Sequence, residues 1–257
     1  MGGRGSTLAH KHIYGKDNNP NRKVNWNDPE SEYHNKMFNL LKEEKVSTRK
    51  STDDIDDKIF ERQQKQVLSL ASEYKKVLKA TTQNEDIQLG SEQISGGTLG
   101  YCACHQENGK FKQRVVLDKK LYTDYDHIRT VVEDAVSKKH FAPINTRFKS
   151  RDYIVTHELG HAVENSIVIK LAKDRGMNIY TDFRGTSNKL EGEIKNEVIK
   201  IYQKDFAKDN ALDKIFLSRY SRKDDGEWFA ETFANLHLSD NPEPIALALQ
   251  KYLRRFK

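Results

Sequence analysis

Apolar residues recur at steps of three and four in several stretches of the chain, which is the period of a helix with one buried face. The clearest stretch is residues 52–80, where Ile59, Val67 and Leu70 belong to a stripe that continues through Tyr74. Acidic residues crowd its first turn, where the helix dipole favours negative charge. We predict a helix here that serves as scaffold, packing one face on the domain or on a partner helix.

The helical period returns later in the chain and predicts a mainly helical protein. The further helices are predicted after Asp28-Pro29 and at residues 125–140, 150–174, 189–208, 224–238 and 245–256, with a shorter segment at 213–220. Ser150 or Asp152 is the expected cap of the 150–174 helix, and Gly176 is its expected end.

Two stretches have the character of short strands, at residues 98–106 and 111–117. The Asn108-Gly109 pair between them is typical of a tight hairpin turn. The polar, glycine-rich residues 81–100 before them are predicted to form a linker or loop.

Cys102 and Cys104 lie two apart on the first predicted strand, so their side chains share one face of the sheet. With His105 they could bind a metal, but a closed zinc site needs four ligands and no matching cluster recurs. Buried thiols on a strand are the favoured interpretation. The two cysteines are also too close together to staple the fold.

The composition is polar for a globular domain, with 32% charged residues and 36% hydrophobic residues among 257. Part of the chain is therefore not expected to pack into a core. We predict a flexible leader at 1–27, a helical N-terminal extension at 28–90 and the main domain at 91–257. The net charge of +6 is scattered and heavier at the ends, which favours a solvated surface over a nucleic-acid site.

No apolar run is long enough to cross a bilayer, and the first residues have no apolar core of a secretion signal. We expect a cytoplasmic or virion-associated protein that contacts no membrane.

The chemistry concentrates in the pentapeptide HELGH at residues 157–161, inside the predicted helix 150–174. Histidines four apart lie on the same helical face, so His157 and His161 can bind one Zn²⁺ together. Glu158 beside the first histidine can activate a water on that metal. The motif also occurs in helices that bind no metal, so a third ligand is needed to support the hypothesis.

The best candidate for that ligand is the segment EWFAETFAN, where Glu227 and Glu231 lie four apart on one helical face. Carboxylates among so many aromatic residues are costly to bury unless both are engaged. One carboxylate can bind the metal while the other accepts a hydrogen bond from the ring N–H of a ligating histidine. An ordinary solvated acid pair is the alternative.

The segments HELGHAVEN and LSRYSRKDDGEWFAETFA together resemble the zinc peptidases of the anthrax lethal factor and Pro-Pro endopeptidase group, a branch of the zincins. The resemblance covers roughly residues 153–165 and 217–235. It implies an α+β, zincin-like fold, mainly helical with a small mixed sheet. The stretch between the motifs is longer than in compact members, and the helix at 189–208 is the predicted insertion.

The resemblance also assigns roles to individual residues. It implies Zn²⁺ held by His157, His161 and Glu227, Glu158 as general base, Tyr220 as a hydrogen-bond donor to the oxyanion and Glu231 as the second acid. The implied function is a zinc endopeptidase acting on a protein or peptide, which would lie along an edge strand of the predicted hairpin.

Other classes of function stay open at this point. The helical N-terminal half is similar in general character to proteins encoded near phage head genes, which allows a phage head-associated structural or binding protein that carries a zincin domain. In that case the N-terminal helical region would dock on a phage head or another assembly partner. A toxin or effector peptidase acting on a host or competitor protein is a further alternative.

Overall fold

The computed structural model of the chain describes residues 3–5, 38–39, 57–82, 88–92, 94, 97–107, 109–119, 126–179, 182–206 and 212–257. This part is α+β, mostly helical with a small sheet. The helices are α1 (Asp57–Glu73), α2 (Lys75–Thr82), α3 (His127–Ser137), α4 (Thr146–Lys149), α5 (Tyr153–Asp174), α6 (Phe183–Asp205), α7 (Asp225–Leu238) and α8 (Pro244–Leu253). The strands are β1 (Gly3–Gly5), β2 (Phe38–Asn39), β3 (Gln88–Glu92), β4 (Gly100–Glu107) and β5 (Lys110–Asp118).

The sheet has the strand order β1-β4-β5-β3-β2. β4 and β5 form the predicted antiparallel hairpin, and Gly109 takes the positive φ of 75° that the turn requires. β3 runs parallel to β5, so the sheet is mixed. β5 lies between β4 and β3, and β4 lies between β5 and β1, which pairs with residues 101–103. The prediction that either hairpin strand could be the substrate edge is therefore wrong for β5, and for β4 it is wrong at residues 101–103.

Three short strands fall where the sequence predicted something else. β3 lies in the predicted linker 81–100. It was not predicted as a strand, because its sequence QLGSE lacks the apolar alternation of a strand. β2 lies in the stretch predicted as a helix after Asp28-Pro29, and β1 lies in the predicted leader. The rest of the predicted leader and of that helix lies outside the described residues.

α5 is the central helix, and it is buried on nearly every side. One side faces β4 and β5, and α2, α6 and α7 pack around the others. The approach of α7 is close at Gly160, where an added Cβ would lie 3.1 Å from the Cα of Ala230 and 3.2 Å from the Cβ of Phe233. The absence of a side chain at Gly160 therefore permits this close crossing, and an added methyl group would require the neighbouring residues to shift.

α1 and α2 pack into the core that also surrounds α5. Tyr74 separates the two helices, and Val67, Leu70 and Leu78 belong to one apolar cluster with residues of α5 and α7. The predicted scaffold role on the domain is confirmed for this segment. The division at residue 90 stays a prediction, although helices on both sides of it share this core.

An ion pair attaches α1 to the start of α5. The guanidinium of Arg62 donates from Nε and Nη2 to the carboxylate of Asp152, at 3.0 and 2.9 Å. Gln63 adds a hydrogen bond of 2.8 Å to the carbonyl of Arg151. Asp152 makes no capping hydrogen bond to α5, and neither does Ser150, whose hydroxyl donates to the Thr146 carbonyl. Asp152 occupies the predicted N-cap position, but the predicted capping by its side chain is therefore wrong.

Most predicted helix boundaries differ from the observed ones by a few residues. α6 begins at Phe183 rather than at residue 189, because Asp182 caps it by accepting from the amide of Gly185. α5 ends before Gly176, as predicted, and this glycine has a positive φ of 64°. The short segment at 213–220 is not one helix: the 3-10 turn Leu212–Ile215 and the start of the 3-10 turn Tyr220–Arg222 are separated by irregular residues 216–219. No helix in the described ranges has the length and apolar character to cross a bilayer.

Candidate metal centre

His157 and His161 of α5 meet Glu227 of α7 in the interior of the protein. Oε2 of Glu227 lies 3.1 Å from Nε2 of His157 and 3.3 Å from Nε2 of His161. All three side chains are buried, and one ligand atom from each lies within 4.8 Å of the others. Among the residues that the structure describes, this is the one group with such an arrangement.

The spacing of these atoms fits a metal ion. Ligand atoms about 2.0 Å from a tetrahedral zinc are separated from one another by about 3.3 Å. The two distances from Glu227 are close to that value. Nε2 of His161 has no hydrogen-bond partner among the described residues, although it is buried. A buried imidazole nitrogen turned towards a carboxylate oxygen in this way is suited to bind a cation.

Two local features bring the ligands together. Asp224 caps α7 by accepting from the backbone amide of Glu227 at 2.7 Å, which places the glutamate in the first turn. Gly160 lets α7 approach α5 next to His161. Since His157 precedes His161 by one helical turn, a single side chain from α7 can reach both imidazoles.

The pKa values of these groups reflect their mutual approach. Burial alone would raise the pKa of Glu227, but the imidazoles of His157 and His161 hold it well below its usual range. Burial would lower the pKa of His161, whereas contacts with Glu164 and Glu227 raise it to about 9. Contacts with Glu227 and Glu231 likewise raise the pKa of His157 against the effect of burial. The carboxylate of Glu227 between the two imidazoles contributes to all three directions, together with Glu164 at His161 and Glu231 at His157.

Glu231, one turn after Glu227, has a fully occupied carboxylate. Its Oε1 lies 3.0 Å from Nδ1 of His157 and accepts from the hydroxyl of Tyr153 at 2.7 Å. Its Oε2 accepts from the hydroxyl of Ser218 at 2.6 Å and from the backbone amide of Ala142 at 2.7 Å. The contact with Nδ1 leaves Nε2 of His157 facing the candidate metal position.

Sequence reasoning missed three of these partners. Tyr153 and Ser218 carry no motif of their own, and Ala142 acts through its backbone. The only available signal was proximity, because Tyr153 begins the HELGH helix and Ser218 lies two residues before Tyr220.

Glu158 is buried beside His157, as the sequence predicted. Its Oε2 has no hydrogen-bond partner within the described part of the chain. Burial raises the pKa of Glu158 to about 7, while the charges of His157 and His161 act in the opposite direction. A carboxyl group with this pKa can both accept and release a proton near neutral pH.

Tyr220 also lies at the centre. Its hydroxyl donates to Oε1 of Glu227 at 3.1 Å, and its ring centroid is 5.8 Å from that of His157. Its backbone amide donates to the carbonyl of His140 at 3.2 Å, which ties it to the turn after α3. Burial raises the pKa of Tyr220 well above its usual range, so the hydroxyl stays protonated and can donate.

Two further charged residues approach the ligands. Lys223, which sequence reasoning missed, places Nζ 3.1 Å from Oε1 of Glu227. Oε2 of Glu164 lies 3.9 Å from Nδ1 of His161. All six residues predicted for the site lie in one cluster: His157, Glu158, His161, Tyr220, Glu227 and Glu231.

Cys102 and Cys104 are buried free thiols, as predicted.

Comparisons of the chain with protein-family models, with curated proteins and with solved structures gave no match.

Proposed function

We propose that this protein is a zinc-dependent endopeptidase with a zincin-like arrangement of its active-site helix and sheet. The observation that carries the proposal is the buried group of His157, His161 and Glu227, with Glu158 beside it. Three protein ligands are what a catalytic zinc requires, because the fourth position must take a water or the substrate.

The donor set favours zinc over the harder cations. Calcium and magnesium prefer six or more oxygen ligands, whereas two imidazole nitrogens with one carboxylate oxygen suit zinc. The contact between Glu231 and Nδ1 of His157 supports this, because metal-binding histidines usually give their other nitrogen to such a partner.

Bound zinc would supply a Lewis acid and lower the pKa of the attacking water. In the proposed mechanism, Glu158 accepts a proton from that water while the water oxygen attacks the carbon of the peptide carbonyl. Glu158 then delivers the proton to the leaving amine as the C–N bond breaks, so one carboxyl group serves both steps. The Tyr220 hydroxyl donates to the carbonyl oxygen as negative charge develops there.

β4 is the proposed strand for the substrate. An extended peptide could pair with its backbone, and α5 packs directly below this strand. In the structure, β1 pairs with residues 101–103 of β4. A peptide that binds at this register would therefore replace β1.

The experiment combines metal analysis with cleavage of a proteome-derived peptide library. We expect about one zinc per chain for the wild type and for Glu158→Gln. The substitution should lower the rate of cleavage by about 10²-fold or more, because it removes the base but no ligand. Equal cleavage by both proteins, or a wild type that binds no zinc, would contradict the proposal.

A third outcome would favour the phage head-associated binding protein. A wild type that binds zinc but cleaves no peptide in the library would indicate that the metal stabilises a domain with another role.

A further inference from the structure

Lys223 lies immediately before Asp224, the residue that caps α7. Its Nζ is 3.1 Å from Oε1 of Glu227 and 4.8 Å from the centroid of the Tyr220 ring. The Lys223 side chain is 19% exposed, while that of Glu227 is 1% exposed. The lysine therefore reaches from the surface to a carboxylate in the interior.

The two oxygens of Glu227 have different surroundings. Oε2 faces the two imidazoles of His157 and His161. Oε1 accepts from the Tyr220 hydroxyl and from Lys223, both at 3.1 Å. One oxygen is directed to the candidate metal position, and the other is held by two donors.

We propose that Lys223 is a positioning residue that holds Oε1 of Glu227, so that the carboxylate binds the metal through Oε2 alone. It also keeps Oε1 paired when the Tyr220 hydroxyl turns from Glu227 to the substrate. This inference rests on the proposed function, since both roles concern the zinc ligand and the reaction of the same site.

The surroundings distinguish this contact from an ordinary lysine–glutamate pair at helix spacing. Exposed pairs of that kind contribute little, because water screens them and both side chains lose freedom. Glu227 is buried, so its carboxylate depends on the protein for its hydrogen bonds. Tyr220 has to release Oε1 in order to donate to the substrate, whereas Lys223 has no other role in the reaction.

The test measures zinc affinity by competition with a chelator, which requires no peptidase activity. We expect Lys223→Met to weaken zinc binding about 10-fold, the effect typical of losing a partner of a metal ligand. Lys223→Arg keeps the charge and a donor, and should stay within about 3-fold of the wild type.

Lys195→Met is the matched control. Lys195 is 16% exposed and donates to Asp225 at 2.8 Å, so it also pairs with an acid in the first turn of α7. It does not touch Glu227 in the structure, and its loss should leave zinc affinity unchanged. Far-UV circular dichroism of each variant checks that it folds.

A double substitution sharpens the test. Tyr220→Phe and Lys223→Met each leave one donor on Oε1, whereas the double variant leaves none. We expect the double variant to lose more zinc affinity than the product of the two single effects. At saturating zinc, Lys223→Met should lower kcat about 10-fold with little change in KM, because the hydroxyl must now leave an oxygen without another partner.

The outcomes separate this inference from the proposed function. Wild-type zinc affinity in Lys223→Met, alone and combined with Tyr220→Phe, would overturn the role of Lys223 while the peptidase stands. An equal loss in Lys195→Met would also overturn it. A protein that binds zinc and cleaves nothing would refute the peptidase, while the affinity series would still decide the role of Lys223. If the wild type binds no zinc, both proposals fail.

Discussion

Oε1 of Glu231 lies 3.0 Å from Nδ1 of His157, on the opposite side of the imidazole from Glu227. The ring is therefore held between two carboxylates from successive turns of α7. One carboxylate lies at each ring nitrogen, and Nε2 is the nitrogen that faces the candidate metal position.

We predict that Glu231→Gln weakens zinc binding about 10- to 100-fold, although Glu231 is not a ligand. The amide nitrogen of glutamine would replace one of the two oxygens, and it cannot accept the bond that Tyr153 donates to Oε1 or, in the other orientation, those that Ala142 and Ser218 donate to Oε2. Chelator competition measures the effect. Glu193→Gln makes the same change at an exposed pair with Arg175 and should leave the affinity unchanged. A similar loss in both variants would contradict the prediction.

We predict that Gly160→Ala destabilises the protein and weakens zinc binding. The new methyl group would lie 3.1 Å from the backbone of Ala230, so α7 would have to move away from α5 and carry Glu227 with it. Overpacking of this kind typically costs about 1–3 kcal/mol. Urea unfolding and chelator competition measure the two effects.

Gly192→Ala is the control for that substitution. It lies within α6, where the new methyl group would meet only the carboxylate end of Asp225, at 3.3 Å. Helix propensity should make this change neutral or stabilising by up to about 1 kcal/mol. Equal destabilisation in both variants would show that the close contact between α5 and α7 at Gly160 does not cause the loss of stability.

We predict that Arg62→Met lowers the free energy of unfolding by about 1–3 kcal/mol. The substitution leaves the buried carboxylate of Asp152 without the guanidinium that pairs with it. The estimate is below that for a fully buried pair, because the Arg62 side chain is 34% exposed. Lys170→Met removes an exposed pair with Asp174 and should change stability by less than about 0.5 kcal/mol.

We predict that His237 makes the protein less stable in acid. Burial lowers the pKa of this histidine to about 4 from its ordinary value of 6.5. Between these values the unfolded chain binds the proton and the folded chain does not, so stability is full above pH 6.5 and falls as the pH drops towards 4. The loss amounts to about 3 kcal/mol at most.

The measurement compares urea unfolding of the wild type and His237→Phe across that range. The neutral ring of His237 contacts Phe233 and the hydroxyl of Tyr74 lies 3.1 Å from its Nε2, so the variant should be less stable at pH 7. Its disadvantage should shrink as the pH falls. Parallel stability curves for the two proteins would refute the prediction.

The sequence was most informative where neighbours in the chain are also neighbours in space. His157 and His161, and likewise Glu227 and Glu231, share a helical face by their spacing alone. The hairpin was predictable for the same reason, because Asn108-Gly109 specifies a local turn.

Contacts between distant segments were not predictable in this way. The amide of Ala142 reaches Glu231 across many intervening residues, and a backbone group leaves no mark on the sequence. Lys223 resembles any lysine four residues from a glutamate until the burial of Glu227 is known. The strand β3 was missed because it is recognised by its parallel pairing with β5 rather than by its own residues.

The core shared by α1, α2 and α5 limits where this chain could be divided into fragments. A fragment of residues 91–257 would carry every proposed zinc ligand. It would leave behind Arg62 and the apolar face around Tyr74, which support the first turn of α5 and the far end of α7. Residues 91–257 alone would therefore lack contacts that hold both of the helices carrying the proposed ligands.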